Sequence, residues 1–454
     1  MKPLILIVAF AFPFLAPRAQ ELTMEQCRSS ALQYNKKRMA AARGTEAARY
    51  SLDGTRALFF PDVRLTGSAA YSTIDGALNI PGGLLPVLQP SPAGQMIPTG
   101  ASAYFPGLGL EYEAGPMFMA GVQLKQPIYT GGKIRAGYGL AKCQLEAARL
   151  QEKLTETEVI VAADRAYAQV VKAQEMTRVA QAYKDLLEEL LRNVQSAVKH
   201  GLKLSNDELK VRVKLNEGEL ALRKAENARR LAVMNLCHVM GRSLDESLTV
   251  SSVLPEVEAI LHDGGATLSA RPEYALLERQ TEAAALQVKL NRADLLPQVG
   301  VVGAYNYMNG LEVNNEKLFD GGSFSALLSV SIPLYHFGER TNKVKAARAK
   351  LEQAKAEQAH LNEQMQLELS RACNNLDEAR LECELSVRSL EQAEENRVLS
   401  EKSYRAGMET LSDVLEAQTL WQQAYENKVD AYFRLYLAGV DYRKAAGRLL
   451  EHGE

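Results

Sequence analysis

QPIYTGG spans Gln126 to Gly132, and IPLYHFG spans Ile332 to Gly338. Proline, tyrosine and glycine recur in one frame: Pro127 and Pro333, Tyr129 and Tyr335, and Gly132 and Gly338 are each 206 positions apart. The same shift pairs Gly201 with Gly407, Asp207 with Asp413, Leu209 with Leu415 and Gly241 with Gly447. Upstream the shift becomes 236, pairing TEAA at Thr45 to Ala48 with TEAA at Thr281 to Ala284, Arg56 with Arg292, Pro61 with Pro297 and Tyr71 with Tyr307. Self-similarity at long period is the signature of a repeated structural unit. The chain therefore reads as two copies of one unit, the first carrying 30 more residues between Pro61 and Pro127.

The bulk numbers bound what such a repeat can do. With 454 residues, 46% hydrophobic, 24% charged and a net charge of -2, the chain is an ordinary folded polypeptide with no basic excess to suggest a nucleic-acid partner. Its first residues, MKPLILIVAFAFPFLAPRAQ, have the charge, apolar run and small residue of a secretory signal over 1–19. The apolar run is shorter than the roughly 20 residues a membrane-spanning helix takes. Five cysteines in an exported chain leave at least one unpaired in the protomer. Cys373 and Cys383, ten positions apart on one expected helix, would sit about 15 Å from one another and cannot bridge. No C-x-x-C or clustered histidines point to zinc, and Cys27 lacks the preceding pattern of a lipid-modified cysteine, so neither metal, cofactor nor lipid anchor is expected.

Each repeat opens with a helix followed by two alternating segments. Val299, Val301, Tyr305 and Tyr307 share one parity, as do Phe324, Ala326, Leu328, Val330, Ile332 and Leu334, with Ser325, Ser329 and Ser331 facing the other way. That is the period of a half-buried strand. The first copy keeps it in Val63, Leu65, Ala69 and Tyr71, and in Phe118, Ala120, Val122, Leu124 and Ile128. The pattern then turns helical: Met176, Val179, Ala180, Tyr183, Leu187, Leu190, Val194 and Ala197 form one amphipathic stripe. Neither Lys133–Lys199 nor Glu339–Arg405 contains proline, and a wholly helical segment of that length reaches about 100 Å. The expected order is a first repeat over 20–241 (strand pair 61–72/116–130, long helix about 132–199, return helix about 205–240), a linker at 242–270, a second repeat over 271–447 (strand pair 297–308/323–335, long helix about 338–405, return helix about 410–446) and a tail at 448–454. The proline-rich surplus within Ser72 to Pro116 reads as a tolerant hairpin loop.

Four strands with an apolar face and no covering helix leave exposed edges. Closing several copies into a barrel removes every edge, and a closed barrel is the β architecture that spans lipid. Three copies give twelve strands, between side-chain-filled barrels of eight and open porins of sixteen. The repeated P-[IL]-Y-x-x-G frame, the signal segment and the turn SYRAGMETLSDVLEAQ at Ser403 to Gln418 resemble the TolC family of outer-membrane efflux channels. That resemblance implies an α+β membrane protein: a homotrimer with a twelve-stranded outer-membrane barrel, four strands per protomer, continuous with a periplasmic α-helical barrel.

The acids at the far turns admit two readings. Ser205 with Glu208, and Thr410 with Asp413, have capping-box spacing, and acids in a first helical turn favour the helix dipole. The resemblance implies instead that Asp207, Tyr404, Asp413 and Glu416 lie at the periplasmic constriction, where symmetry copies of a carboxylate concentrate negative potential and favour cations. Tyr404 is then positioned to hydrogen-bond Asp207. Where relatives often carry a basic residue two positions after the glycine, this chain has Glu409, so the closed state either lacks one cross-link or uses Lys203 instead. The resemblance also puts a periplasmic adaptor against the turns at Gly201, Leu202, Ala406 and Gly407, and an inner-membrane pump of RND or ABC type beyond it. Trp421, Tyr425, Val429, Tyr432, Tyr436 and Val440 read as helix packing. No nucleophile constellation or P-loop occurs, so the expected function is a passive exit duct for small molecules such as drugs. The outer component of type I protein secretion is the alternative, and a non-conducting periplasmic coiled-coil scaffold leaves the four strands unexplained.

Overall fold

The computed structural model describes residues 21–91, 94–246, 248–251, 268–314 and 316–449. The expected signal segment, most of the linker and the end of the tail lie outside them. The described chain divides into two compact units, one helical and one containing the sheets.

The helical unit comprises Met1–Arg49, Cys143–Glu282 and Glu352–Glu454. Helix α1 (Met24–Tyr34) starts on a capping box made by Thr23 and Gln26. It stops at Asn35, whose Oδ1 accepts from the N–H groups of Lys37 and Arg38 at 2.9 and 3.2 Å and so starts α2 (Lys36–Ala57). The long α3 (Lys133–Lys199) and its return α4 (Ser205–Val239) are matched, after α5 (Pro272–Ala293), by α6 (Glu339–Arg405) and α7 (Leu411–Ala445). The α3 stripe is buried where it lies in this unit: Val179, Tyr183, Leu187 and Val194 pack with Val211 of α4 and with Leu411, Val414 and Trp421 of α7. A second cluster joins Cys27 and Ala31 of α1 to Tyr167 and Val170 of α3, Leu236 of α4, and Tyr436 and Val440 of α7. Arg28 crosses from α1 to the fully buried Asp164 of α3 with two short bonds of 2.5 and 2.6 Å. Of the aromatic stripe on α7, Trp421, Tyr436 and Val440 are buried while Tyr432 stays exposed. All five cysteines are free.

The second unit comprises Tyr50–Lys142 and Ala283–Leu351. Its main sheet is antiparallel in the order β1 (Asp62–Ile80), β4 (Leu108–Tyr129), β5 (Gln298–Val313), β6 (Glu316–Ser331). Asp62 pairs with Lys125, and the positions reached by the two sequence shifts, Gln298 and Ser331, are likewise paired. One row across the sheet reads Leu65, Val122, Tyr305, Phe324, exposed at 80, 45, 56 and 74%. The next row, on the opposite face, reads Arg64, Gln123, Ala304, Ser325. Apolar residues thus cover one face of the sheet and remain open to the outside.

Three expectations need correction. The strands run past the expected 61–72/116–130 and 297–308/323–335 at their turn ends, because pairing continues to Ile80 opposite Leu108 and to Val313 opposite Glu316. The proline-rich surplus is no plain loop: β2 (Gly83–Pro90) and β3 (Met96–Phe105) form a two-stranded sheet of their own. Proline is compatible with such a ribbon because each strand has an outer edge needing no donor. Finally, β6 stops at Ser331, opposite the first residue of β5, so Pro333 and Tyr335 lie beyond the strand. Their counterparts Pro127 and Tyr129 pair with Gly300 and Val299, a flank that β6 lacks within one protomer.

Candidate functional site

The repeated frame is a strand-to-helix corner. Gly132 and Gly338 have φ of +86° and +84°, a region open to glycine without steric cost. Their carbonyls accept from Ala136 and Asn342 at 2.9 Å, opening α3 and α6. Phe337 adopts φ +46° where the first copy has Gly131 at +63°, and it stacks edge-on against Tyr335 at 4.8 Å.

At the other end of the long helices, two turns are built alike. The Gly201 N–H donates to Val198 and the Leu202 N–H to Ala197, while Gly407 donates to Tyr404 and Met408 to Ser403, all at 2.9–3.0 Å. This is the Schellman motif, which satisfies the last carbonyls of a helix and needs the left-handed glycine, here at φ +73° and +77°. The turns present Leu202, Leu204 and Met408 to the outside, exposed at 76, 73 and 77%, with Ala406 exposed beside them.

The acids next to these turns are held differently. Thr410 is the N-cap of α7: its N–H and hydroxyl donate to the Asp413 carboxylate at 2.8 and 2.7 Å, and its hydroxyl accepts from the Asp413 N–H at 3.4 Å. These bonds hold the Asp413 carboxyl below the usual carboxylate range. The equivalent N-cap of α4 is Leu204, which has no side-chain oxygen and makes no cap bond. The capping box expected of Ser205 and Glu208 is therefore absent. Ser205 is already inside the helix, and Glu208 accepts from Gln195 at 3.0 Å and from Arg212 at 2.7 Å. Left out of any cap, the Asp207 carboxylate is 3.7 Å from Lys210.

Asp207 and Tyr404 are brought near one another without a hydrogen bond between them. Burial, with the Asp207 charge behind it, pushes the Tyr404 phenol up. The ammonium of Lys203 lies 4.5 Å above the Tyr404 ring, a cation–π contact of roughly 0.5–1 kcal/mol at a partly exposed site. Glu409, the departure noted in the sequence, accepts from the buried Ser400 hydroxyl. Glu416 is exposed on the same side of α7 as Asp413 and makes no ion pair or hydrogen bond among the described residues, while Val414 and Leu415 turn into the core. A cavity of about 420 Å³ lies between α3 and α6, with Tyr404, Glu189, Glu401 and Arg405 in its wall. The Arg405–Glu189 approach of 3.9 Å across it was not legible in the sequence, since it joins helices far apart in the chain; Arg397 set against Trp421 at 5.6 Å joins the consecutive helices α6 and α7.

No helix among the described residues is long and apolar enough to cross a membrane. Known proteins resemble the chain over most of its length. The chain is 23% identical over 334 residues to the outer membrane efflux protein BepC of Brucella suis biovar 1 (strain 1330), covering 72% of each chain. It is 24% identical over 348 residues to the pyoverdine export outer membrane protein OpmQ of Pseudomonas aeruginosa, covering 74% of this chain and 71% of that one. Its fold matches the crystal structure of the outer membrane protein VceC from Vibrio cholerae with a TM-score of 0.74 at 17% identity, covering 93% and 96% of the two chains. The profile of the outer membrane efflux protein family matches residues 27–242 and 265–448. With both repeats inside that match, the chain belongs to the outer membrane efflux protein family.

Proposed function

We propose that three copies of this chain form a passive duct across the outer membrane through which small molecules such as drugs leave the cell, driven by an inner-membrane pump of RND or ABC type through a periplasmic adaptor. The protein resides in the outer membrane with its helical part in the periplasm. The observation that carries the reading is the four-stranded sheet with one apolar, exposed face and two unpaired outer edges, β1 and β6. In lipid an open edge is not tolerated. The repeat supplies the closing register: β4 pairs with β5 as Gln123 opposite Ala304, and the same shifts carry that pair to Ser329 and Ser68. We assign β6 of one copy to β1 of the next in that register, which extends pairing towards Pro333 and Tyr335.

The turns at Gly201, Leu202, Ala406 and Gly407 are proposed as the adaptor's docking points, and Asp207, Tyr404, Asp413 and Glu416 as the constriction. Its closed state uses Lys203 over Tyr404, in place of a base at position 409. Three copies of an unpaired carboxylate at a narrow point favour cations. Reconstituted in a planar bilayer, the trimer conducts with cation preference, and Glu416→Gln lowers that preference without altering a cap. Unchanged selectivity in that variant removes Glu416 from the constriction. In cells lacking the gene, accumulated drug supports the small-molecule duct, whereas retained secreted protein with normal drug efflux points to type I secretion.

A further inference from the structure

Two helices of the helical unit, α4 and α6, each carry a second apolar stripe that the protomer leaves open. On α4, Leu209, Val213, Leu220 and Leu231 are all exposed, and at about 3.6 residues per turn they fall on one line. Val211, Gly218, Ala232 and Leu236, on the opposite face, are buried. The same holds on α6, where exposed Leu367, Leu381, Leu385 and Leu399 form one line with buried Met365, Ala372 and Leu376 behind them. A helix that is apolar on two faces packs between two neighbours, and one protomer fills a single face of each.

What belongs on the open faces follows from the repeat. Under the shift of 206, α3 (Lys133–Lys199) coincides end to end with α6 (Glu339–Arg405), and α4 (Ser205–Val239) with α7 (Leu411–Ala445). Within the protomer α3 packs on α7: Lys172 lies 2.7 Å from Asp430, and Arg165 lies 2.7 Å from Asp441. One step further round, α6 takes the place of α3 and α4 of another copy takes the place of α7. Lys172 then becomes Glu378 and Asp430 becomes Lys224. Both partners have changed sign, so attraction is kept where either change alone would have opposed like charges. Arg165 and Asp441 become Arg371 and Asn235, which keeps the cation and loses the acid. The 3.9 Å approach of Arg405 on α6 to Glu189 on α3 becomes Lys199 of the other copy against Glu395. Glu378, Lys224, Glu395 and Lys199 are exposed and make no hydrogen bond or ion pair among the described residues. The apolar positions agree: Val161 and Leu415, buried in clusters that join α3 to α7, become Leu367 and Leu209 of the open stripes.

We propose that α6 of each copy docks along α4 of the next in the arrangement α3 already makes with α7, fastened by Glu378 to Lys224 and by Glu395 to Lys199 of that next copy. The inference rests on the trimer proposed above and gives its helical part a seam between copies, as β6 with β1 gives one to the sheet. Complementary charges across such a contact select partner and register more than they add affinity. The two pairs therefore fix how far α6 slides along α4.

The first test uses the native chain in outer-membrane vesicles treated with a carbodiimide, which joins a carboxylate to an ammonium that touches it. Covalent dimer and trimer form, and peptide mass spectrometry finds Glu378 joined to Lys224 and Glu395 joined to Lys199. The second reads the temperature at which trimers come apart in detergent. Lys224→Glu and Glu378→Lys each lower it, and the two together regain most of the loss. No loss from either single change, losses that merely add in the double variant, or cross-links between copies that map elsewhere overturn the helix seam. The disulfide from Ser68→Cys with Ser329→Cys reports the barrel seam separately. Formed while the helix pairs fail, it leaves the trimer standing and this inference overturned; absent from inserted, folded protein, it removes the trimer and the inference with it.

Discussion

Asp207 and Asp413 occupy equivalent places, and what separates them is a single side chain three residues earlier. Thr410 engages the Asp413 carboxylate in a cap, whereas Leu204 offers Asp207 nothing. Leu204→Thr gives α4 the missing acceptor, stabilises its first turn by about 1 kcal/mol and slows hydrogen exchange there. Unchanged exchange at Asp207 counts against the cap comparison. The Asp413 cap has the opposite dependence on acid. Its carboxyl is held low, so its contribution is full above the usual aspartate range and disappears as pH falls through the depressed folded value. Deeper in the helical unit, burial pulls the Asp164 carboxyl up against the Arg28 guanidinium that binds it. Removing one partner of such a pair strands the other, so Arg28→Ala costs about 3 kcal/mol, while replacing Arg28 and Asp164 together by leucine and valine costs far less. Equal losses in denaturant unfolding of the two variants contradict this account.

At the scale of elements, periodicity carried most of the reading. The α3 stripe from Val179 to Val194 is the buried face found in the core because a long helix has one consistent period over many turns. The strand parity of Leu65, Val122, Tyr305 and Phe324 places them in one row across the sheet. What escaped the sequence was set by partners distant in the chain. Six prolines within Pro81 to Pro106 read as a loop because the pairing of Leu84 with Tyr104 is a property of two strands together. The Ser205–Glu208 spacing read as a capping box because spacing alone does not show which residue is the N-cap. Lys203 over Tyr404 joins two helix ends 201 positions apart in sequence, beyond any local pattern.

At the scale of the whole molecule, one protomer is incomplete in a specific way. Its sheet has two open edges and an apolar face turned outward, and the motif at Pro333 to Gly338 lacks the flanking strand enjoyed by its copy at Pro127 to Gly132. Both deficits are met by the same step, pairing β6 with β1 of another copy in the register the first repeat already uses. The decisive measurement is disulfide trapping of Ser68→Cys with Ser329→Cys in outer membranes, with each single variant as control. Opposed strand residues lie about 4.5–5.5 Å apart between Cα atoms, within reach of a disulfide, so the account predicts a ladder of covalent dimer and trimer that only the double variant gives. A monomer band alone, from protein that is inserted and folded, contradicts the closed barrel and with it the duct.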